Sequence, residues 1–238
     1  FYSIFTGVQR FALTIYGLDL TPRLQLIDLL AAVEKERIVP RLRIGSLEPT
    51  EITTPLVRLF ASSEIICPHL HIPLQSGSDP VLERMNRHYT TLRFREVMGE
   101  LAAAIPDICP GCDIIAGFPG ETDEEFAATY SFIDSLPITY LHVFPFSPRQ
   151  GTPAATMPSQ APGGVIRERA AALRRLSERK KRAYHERFVG RELEVLVQER
   201  KEGGMVKGLS RNYIPVMLPG DDNLINSEIS VRITGTGK

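Results

Sequence analysis

His69 and His71 stand two residues apart in the run Cys67-Pro68-His69-Leu70-His71-Ile72-Pro73-Leu74-Gln75-Ser76-Gly77-Ser78. On an extended chain that spacing sends both imidazoles to one side. With Cys67 they would offer a metal three ligands, but such a trio reads better as core plus one pocket residue, and no metal site is expected. The polar tip is more informative. Gln75 and Ser76 can hydrogen-bond the hydroxyls or carboxylate of a ligand, and Gly77 lets backbone amides approach it closely. A second run, Asp113 to Thr122, holds Ala116-Gly117-Phe118-Pro119-Gly120-Glu121 and reads as a buried strand, a Gly-Pro-Gly turn and a capped helix. Such a turn either leaves amides free for a nucleotide or an anion or simply joins strand to helix, and the residues leave both readings open. The third run, His142-Val143-Phe144-Pro145-Phe146-Ser147-Pro148-Arg149, brings an apolar strand to an aromatic, proline-constrained tip. There Phe144 or Phe146 can stack on an adenine or belong to the core. Arg149 offers a bidentate fork to a carboxylate or phosphate. Cys109-Pro110-Gly111-Cys112 has metal or redox spacing but no second pair and no nearby histidine, so it is read as structural, between a helix end and a strand start. No Ser/His/Asp arrangement stands out, nor does a glycine-rich phosphate loop.

These runs need elements to hold them. Strands are expected at 41–47, 65–72, 112–116 and 140–146. Helices are expected between them: one opened by Thr21-Pro22 and running to about Arg37, a short one after Thr50-Glu51 to Phe60, one over 91–104, and one capped by Thr122 with Glu125 at its third position. Alternating strands and helices imply parallel strands with right-handed crossovers, in a barrel or an open sheet. Either architecture places ligands at the carboxyl ends of the strands. Residues 151–164 read as a surface linker rich in Pro, Ala, Ser and Gly. A long helix is expected over about 165–188, with Ile166, Ala170, Leu173, Leu176, Tyr184 and Phe188 as its apolar stripe. Beyond Gly190 the period becomes two, with short strands at 193–198, 206–209, 214–218 and 229–233, as in a small oligonucleotide-binding type of barrel.

The chain has 238 residues, 43% of them apolar and 24% charged, which fits a folded globular protein. No stretch reaches the roughly 18–20 apolar residues of a membrane span, so no membrane partner is expected. Three cysteines are too few for a disulfide scaffold and fit a reducing, cytoplasmic setting. Lysine plus arginine equals aspartate plus glutamate at 28 each, yet residues 164–211 hold 14 basic against 7 acidic residues. Such asymmetry hints at nucleic acid, although a solvated helix face with a basic turn would also produce it.

Taken together, these segments resemble the radical S-adenosylmethionine methylthiotransferases. The resemblance runs from about Thr6 to Ile233. It is carried by Thr6-Gly7-Val8, Ser46-Leu47-Glu48-Pro49, the His69 to Ser78 run, Leu82 to Thr90, Asp113 to Thr122, and Phe146 to Ala155. The pairing of His-Ile-Pro-Leu-Gln-Ser-Gly with His-Val-Phe-Pro-Phe-Ser looks most like the subgroup acting on threonylcarbamoyladenosine next to the tRNA anticodon. The resemblance implies a partial (β/α) radical-SAM-type barrel over 1–163, a basic linking helix over 164–189, and a TRAM RNA-binding β-barrel over 190–238.

It also implies an activity. An iron–sulfur cluster reductively cleaves S-adenosylmethionine, and the resulting radical abstracts hydrogen from adenine. Two 4Fe–4S clusters belong to the intact family protein. Their ligands, a CxxxCxxC loop and three cysteines of an amino-terminal domain, are absent from this sequence, and Val8 to Tyr16 fits the family pattern poorly. The chain is therefore expected to be a fragment, inactive alone. Nucleoside and cofactor contacts are assigned to Thr6, Gly7, Glu48, Gln75, Ser76, Gly117, Phe144, Pro145 and Phe146. Substrate contacts are assigned to His71, Arg149, Arg179, Lys207 and Arg211. The expected partners are tRNA and S-adenosylmethionine; the electron donor stays open. Isopentenyladenosine tRNA or a ribosomal protein as substrate, or a stand-alone RNA-binding module, are the alternatives.

Overall fold

In a computed structural model of the chain, Thr21 and residues 23–237 are described. The first half alternates helices with parallel strands: α1 (Leu26–Glu36), α2 (Thr54–Ser62), β1 (His69–His71), α3 (Asp79–Arg84), α4 (Thr91–Ala104), β2 (Cys109–Ala116), α5 (Asp123–Ser135) and β3 (Tyr140–Pro145). The strands form one parallel sheet in the order β1-β2-β3. Local chemistry explains several boundaries. The Thr53, Thr90 and Thr122 hydroxyls accept from the first-turn amides of α2, α4 and α5. Glu125 closes the capping box on Thr122 with a 2.9 Å bond from the Thr122 amide.

The structure departs from three of these expectations. The first helix starts at Leu26, not behind Thr21, because the Asp28 carboxylate takes the Gln25 amide at 2.7 Å and ends the turn there. Residues 41–47 run extended but join the sheet only through parallel bridges at Leu42 and Ser46. The Arg41 and Arg43 side chains reach away to carbonyls of Leu209 and Ser210 at 2.8 and 3.2 Å. The strand expected over 65–72 shrinks to three residues, since Pro68 and Pro73 lack the amide a ladder needs.

One face of the sheet packs under the helices. There Leu70, Ile72, Cys112, Ile114 and Leu141 meet Phe94, Val97, Leu101, Ile133, Leu173 and Leu176 in one apolar core. The opposite, inner face carries the alternate residues His69, His71, Asp113, Tyr140 and His142. Residues 151–162 are not a bare linker: Pro153–Thr156 form a short helix, α6. The long helix α7 spans Gly163–Glu186 and buries Ala170, Leu173, Leu176 and Tyr184, as its stripe predicts, together with Arg169 and Ser177.

Strands β4 (Glu192–Lys201), β5 (Met205–Ser210), β6 (Pro215–Pro219) and β7 (Glu228–Arg232) form an antiparallel sheet in the order β6-β5-β4-β7. Gly203 and Gly204 both have positive φ, 72° and 71°, which the tight turn from β4 to β5 requires. Val195, Val197, Val206, Val216 and Leu218 bury its inner side against Tyr184 and Phe188. This is an antiparallel half-barrel.

Candidate functional site

The inner face is built in layers. At its floor, the Tyr140 hydroxyl lies 2.8 Å from His69 Nε2 and 3.3 Å from His71 Nδ1. Tyr213, in the turn between β5 and β6, stacks on Tyr140 and lies tilted against His69 at 4.1 Å, and the Arg43 guanidinium sits 4.8 Å over the Tyr213 ring. One layer higher, the Asp113 carboxylate lies 2.8 Å from His71 Nε2 and 3.4 Å from His142 Nδ1. The His71 and His142 rings stack at 4.6 Å. The sheet register makes this layer: His71 pairs with Gly111, two residues before Asp113, and Asp113 pairs with His142. Gly111 is needed there, because a Cβ would lie 2.1 Å from the Tyr140 ring.

Donor and acceptor counting orients the network. The carboxylate only accepts, so His71 Nε2–H donates to Asp113, while His142 Nδ1 stands 3.4 Å from the same oxygen. His71 Nδ1 is then an acceptor and takes the Tyr140 proton, and His69 Nε2–H donates to the Tyr140 oxygen. This leaves His69 Nδ1 a bare acceptor, and it is buried with no partner among the described residues. Burial pushes the Asp113 carboxyl up, but the His71 hydrogen bond and the two imidazoles outweigh it and hold the group below its ordinary range.

His69 gives a pH prediction. Burial first, then the charges of Arg43, His71 and His142, lower its pKa from 6.5 to about 3. The unfolded chain therefore binds a proton that the folded chain refuses, and folding stability falls as pH drops from 6.5 towards 3. The slope should reach about 1.4 kcal/mol per pH unit. Urea midpoints measured against pH should show that slope in the parent and a shallower one in His69→Gln. Equal slopes would rule the histidine out as the cause.

The strand ends carry the other expected residues. Phe144, at the carboxyl end of β3, is 50% exposed and free to receive a planar ligand. Phe146 packs edge-on against Phe118 at 5.5 Å. Pro145 ends β3, and Arg149 is exposed beyond it. Glu48 lies half-buried just past the Ser46 bridge, 3.6 Å from Arg87. Burial raises its carboxyl pKa, with Arg87 opposing. Gln75 continues the line of β1 with φ 64°, bridging to Ile114. Thr6 and Gly7 lie outside the described residues.

Other expected contacts are spoken for. Ser76 is fully buried, and its hydroxyl bonds Thr129 of α5 at 3.1 Å instead of facing a strand mouth. Gly77 makes room for α5, not for a ligand: a Cβ would lie 2.8 Å from the Thr129 Cα. The Gly-Pro-Gly turn does not keep its amides free. Gly117 donates to Glu121 Oε2 at 2.9 Å, and Gly120 to the Ser159 carbonyl at 2.9 Å. Among the expected basic contacts, Arg179 pairs with Asp134 at 2.9 Å, Lys207 with Glu199 at 3.2 Å, and Arg211 with Glu228 at 3.8 Å. The exposed Arg174, Arg175 and Arg182 of α7 have no ion-pair partner among the described residues and line one groove.

Two groups escaped the sequence reading. By sequence Asp113 reads only as the start of a strand, and Glu121 only as part of a turn. Arg169 binds the Glu121 carboxylate at 2.8 Å, with the two side chains 7% and 1% exposed. The acidic residue directly after Pro-Gly, facing an arginine in the buried stripe of α7, was the available signal.

The cysteines do not fit an iron–sulfur cluster. All three are free and buried. Cys109 and Cys112 both lie on β2, not ahead of it, and three residues apart they face opposite sides, one in each apolar core. Burial pushes the Cys109 thiol up to about 12 and the Cys112 thiol higher still. No helix among the described residues is long and apolar enough to cross a membrane.

The chain is an α/β protein whose three-stranded parallel sheet has a polar inner face and carries an exposed aromatic ring near the carboxyl end of β3. The model of the Radical SAM superfamily matches residues 7–133, more than half of the chain. The chain is 39% identical over 203 residues to a threonylcarbamoyladenosine tRNA methylthiotransferase of Bacillus subtilis, covering 84% of the chain and 45% of that protein. It is 35% identical over 230 residues to the protein of the same name from Thermotoga maritima, covering 97% and 51%. It is 34% identical over 221 residues to a tRNA-2-methylthio-N(6)-dimethylallyladenosine synthase of Moorella thermoacetica, covering 92% and 50%. The chain belongs to the Radical SAM superfamily, in its tRNA methylthiotransferase family, and spans about half the length of these relatives.

Proposed function

We propose that the whole protein adds a methylthio group to threonylcarbamoyladenosine next to the tRNA anticodon, in the cytoplasm. The observation that carries this reading is the 39% identity to the Bacillus subtilis relative of that name across 84% of the chain. In this reading residues 1–163 form the later part of the barrel, 164–189 the linking helix, and the antiparallel half-barrel of 190–238 is a TRAM module. S-adenosylmethionine, together with iron–sulfur clusters held outside this chain, supplies the radical chemistry when bound.

This chain's own residues hold and orient. Phe144 offers its exposed ring to an adenine, Glu48 accepts from ribose hydroxyls, and Gln75 bonds polar edges at the same rim. Arg149 takes a carboxylate or phosphate in its fork. The inner face below supplies a fixed set of dipoles. Arg174, Arg175 and Arg182 meet the RNA backbone. The cysteines present ligate no cluster, so turnover requires segments beyond this chain.

The test is the nucleoside composition of tRNA from cells in which the gene is disrupted. Threonylcarbamoyladenosine should lose its 2-methylthio group, and complementation should restore it. Loss from dimethylallyladenosine instead would overturn the substrate, and loss from neither would overturn the function. In binding assays, reversing the charge of Arg174, Arg175 and Arg182 should lower tRNA affinity. It should also flatten the salt dependence by about one unit of slope for each phosphate no longer neutralised.

A further inference from the structure

We propose that His71, Asp113 and His142 form a site for one borderline divalent cation, of which Zn²⁺ is the probe, on the inner face of the sheet. Three strands bring one ligand atom each to a single point, and these atoms all lie within 4.8 Å of one another. Two imidazole nitrogens and one carboxylate oxygen are the donor set of open, three-residue zinc and iron(II) sites. Metal–ligand bonds of about 2.0–2.1 Å at tetrahedral angles put neighbouring ligand atoms about 3.3 Å apart. His142 Nδ1 and Asp113 Oδ1 stand 3.4 Å apart already. His71 Nε2 is 2.8 Å from the same oxygen, a hydrogen bond that must open by about half an ångström as the ion replaces its proton.

The outer contacts also fit. A metal-bound imidazole donates its second N–H to a neighbouring oxygen, which fixes its orientation. His71 has that partner in the Tyr140 hydroxyl at 3.3 Å. Binding would reverse the chain of hydrogen bonds, with His71 donating to Tyr140 and Tyr140 to His69. His69 Nδ1 would then carry a proton with no partner among the described residues, which limits the affinity. His71 is buried, whereas the His142 side chain is 53% exposed, so the fourth position opens to water or to a ligand on the inner face. Arg43 is the cation packed on the layer below, with its charge directed at Tyr213. No thiol contributes to the site, since the three cysteines are buried and none lies in the cluster of ligand atoms. It rests on the inner-face geometry alone and stands or falls apart from the tRNA reading.

The test uses the 238-residue chain stripped of metal by a chelator. Calorimetric titration with Zn²⁺ should give one ion per chain, and Zn²⁺ should raise the thermal transition. Co²⁺ in place of Zn²⁺ should give the visible bands of a nitrogen and oxygen ligand set, without sulfur charge transfer. His142→Ala, at an exposed position, should fold as the parent does and bind Zn²⁺ at least about tenfold more weakly, as should Asp113→Asn. Cys67→Ser and Cys109→Ser should bind as the parent does. Sulfur charge transfer with Co²⁺, or a Zn²⁺ affinity and thermal shift unchanged in His142→Ala, would overturn the proposal and leave a purely hydrogen-bonded histidine network.

Discussion

Arg169→Met is expected to destabilise the fold by about 3–5 kcal/mol at neutral pH, because it strands a buried carboxylate. The Arg169 guanidinium bonds Glu121 Oε2 at 2.8 Å and the Glu121 carbonyl at 2.9 Å, and lies over the Phe126 ring. Its bond to Asp123 at 2.7 Å contributes little, since that side chain is 91% exposed. Burial already pushes the Glu121 carboxyl pKa up, against the Gly117 amide and Arg169. Without the arginine it rises further. A raised folded-state pKa is stabilising below the unfolded value and loses that contribution as pH rises through the folded one. The deficit of the variant should therefore shrink in mild acid, at about pH 4, where Glu121 becomes neutral. Urea unfolding at the two pH values reads this directly. Arg169→Met with Glu121→Gln should recover much of the stability; a double variant no better than the single would mean that the guanidinium acts through packing. The effect reaches the site, because Glu121 Oε2 also holds the Gly117 amide at the end of β2.

Gly77→Ala is the second large effect. The added methyl would stand 2.8 Å from the Thr129 Cα and 3.0 Å from Phe132 Cβ, atoms that no side-chain rotation removes. α5 must shift bodily, which strains the Thr129 bonds to Ser76 and to the Gly77 amide, each 3.1 Å. The cost should sit at or above the upper end of the roughly 1–3 kcal/mol typical of overpacking. Gly99→Ala is the matched control. It lies on the exposed side of α4 with nothing within 4 Å of the new carbon, and should stabilise by about 0.5–1 kcal/mol. Thermal denaturation of both variants decides it. A mild effect at Gly77 would mean that the α5 contact is looser than its geometry.

How much of this was legible before folding depends on range. The capping box of Thr122 and Glu125 lies next to the turn it closes and stands where local spacing puts it. The apolar stripe of α7 and the change to period two after Gly190 were visible for the same reason, since neighbouring side chains alone set those patterns. Thr21 misled because a Thr-Pro start competes with any later acceptor, and Asp28 was the better one.

Local patterning alone specifies the parallel α/β half, the basic helix, the antiparallel end and the strand-end motifs that resemble one family. What those motifs touch is set by long-range packing. Gly77 looked like ligand backbone and is helix clearance; Lys207 and Arg211 looked like RNA contacts and hold partners of their own. Asp113 carried no local signal, yet it accepts from His71, 42 residues away, and lies 3.4 Å from His142 on the next strand. Periodicity and capping arise within a turn or two of chain, so sequence encodes them directly. Strand register and the partner of a charge are chosen among distant segments by the packing of the whole core, and no short stretch of residues contains that choice.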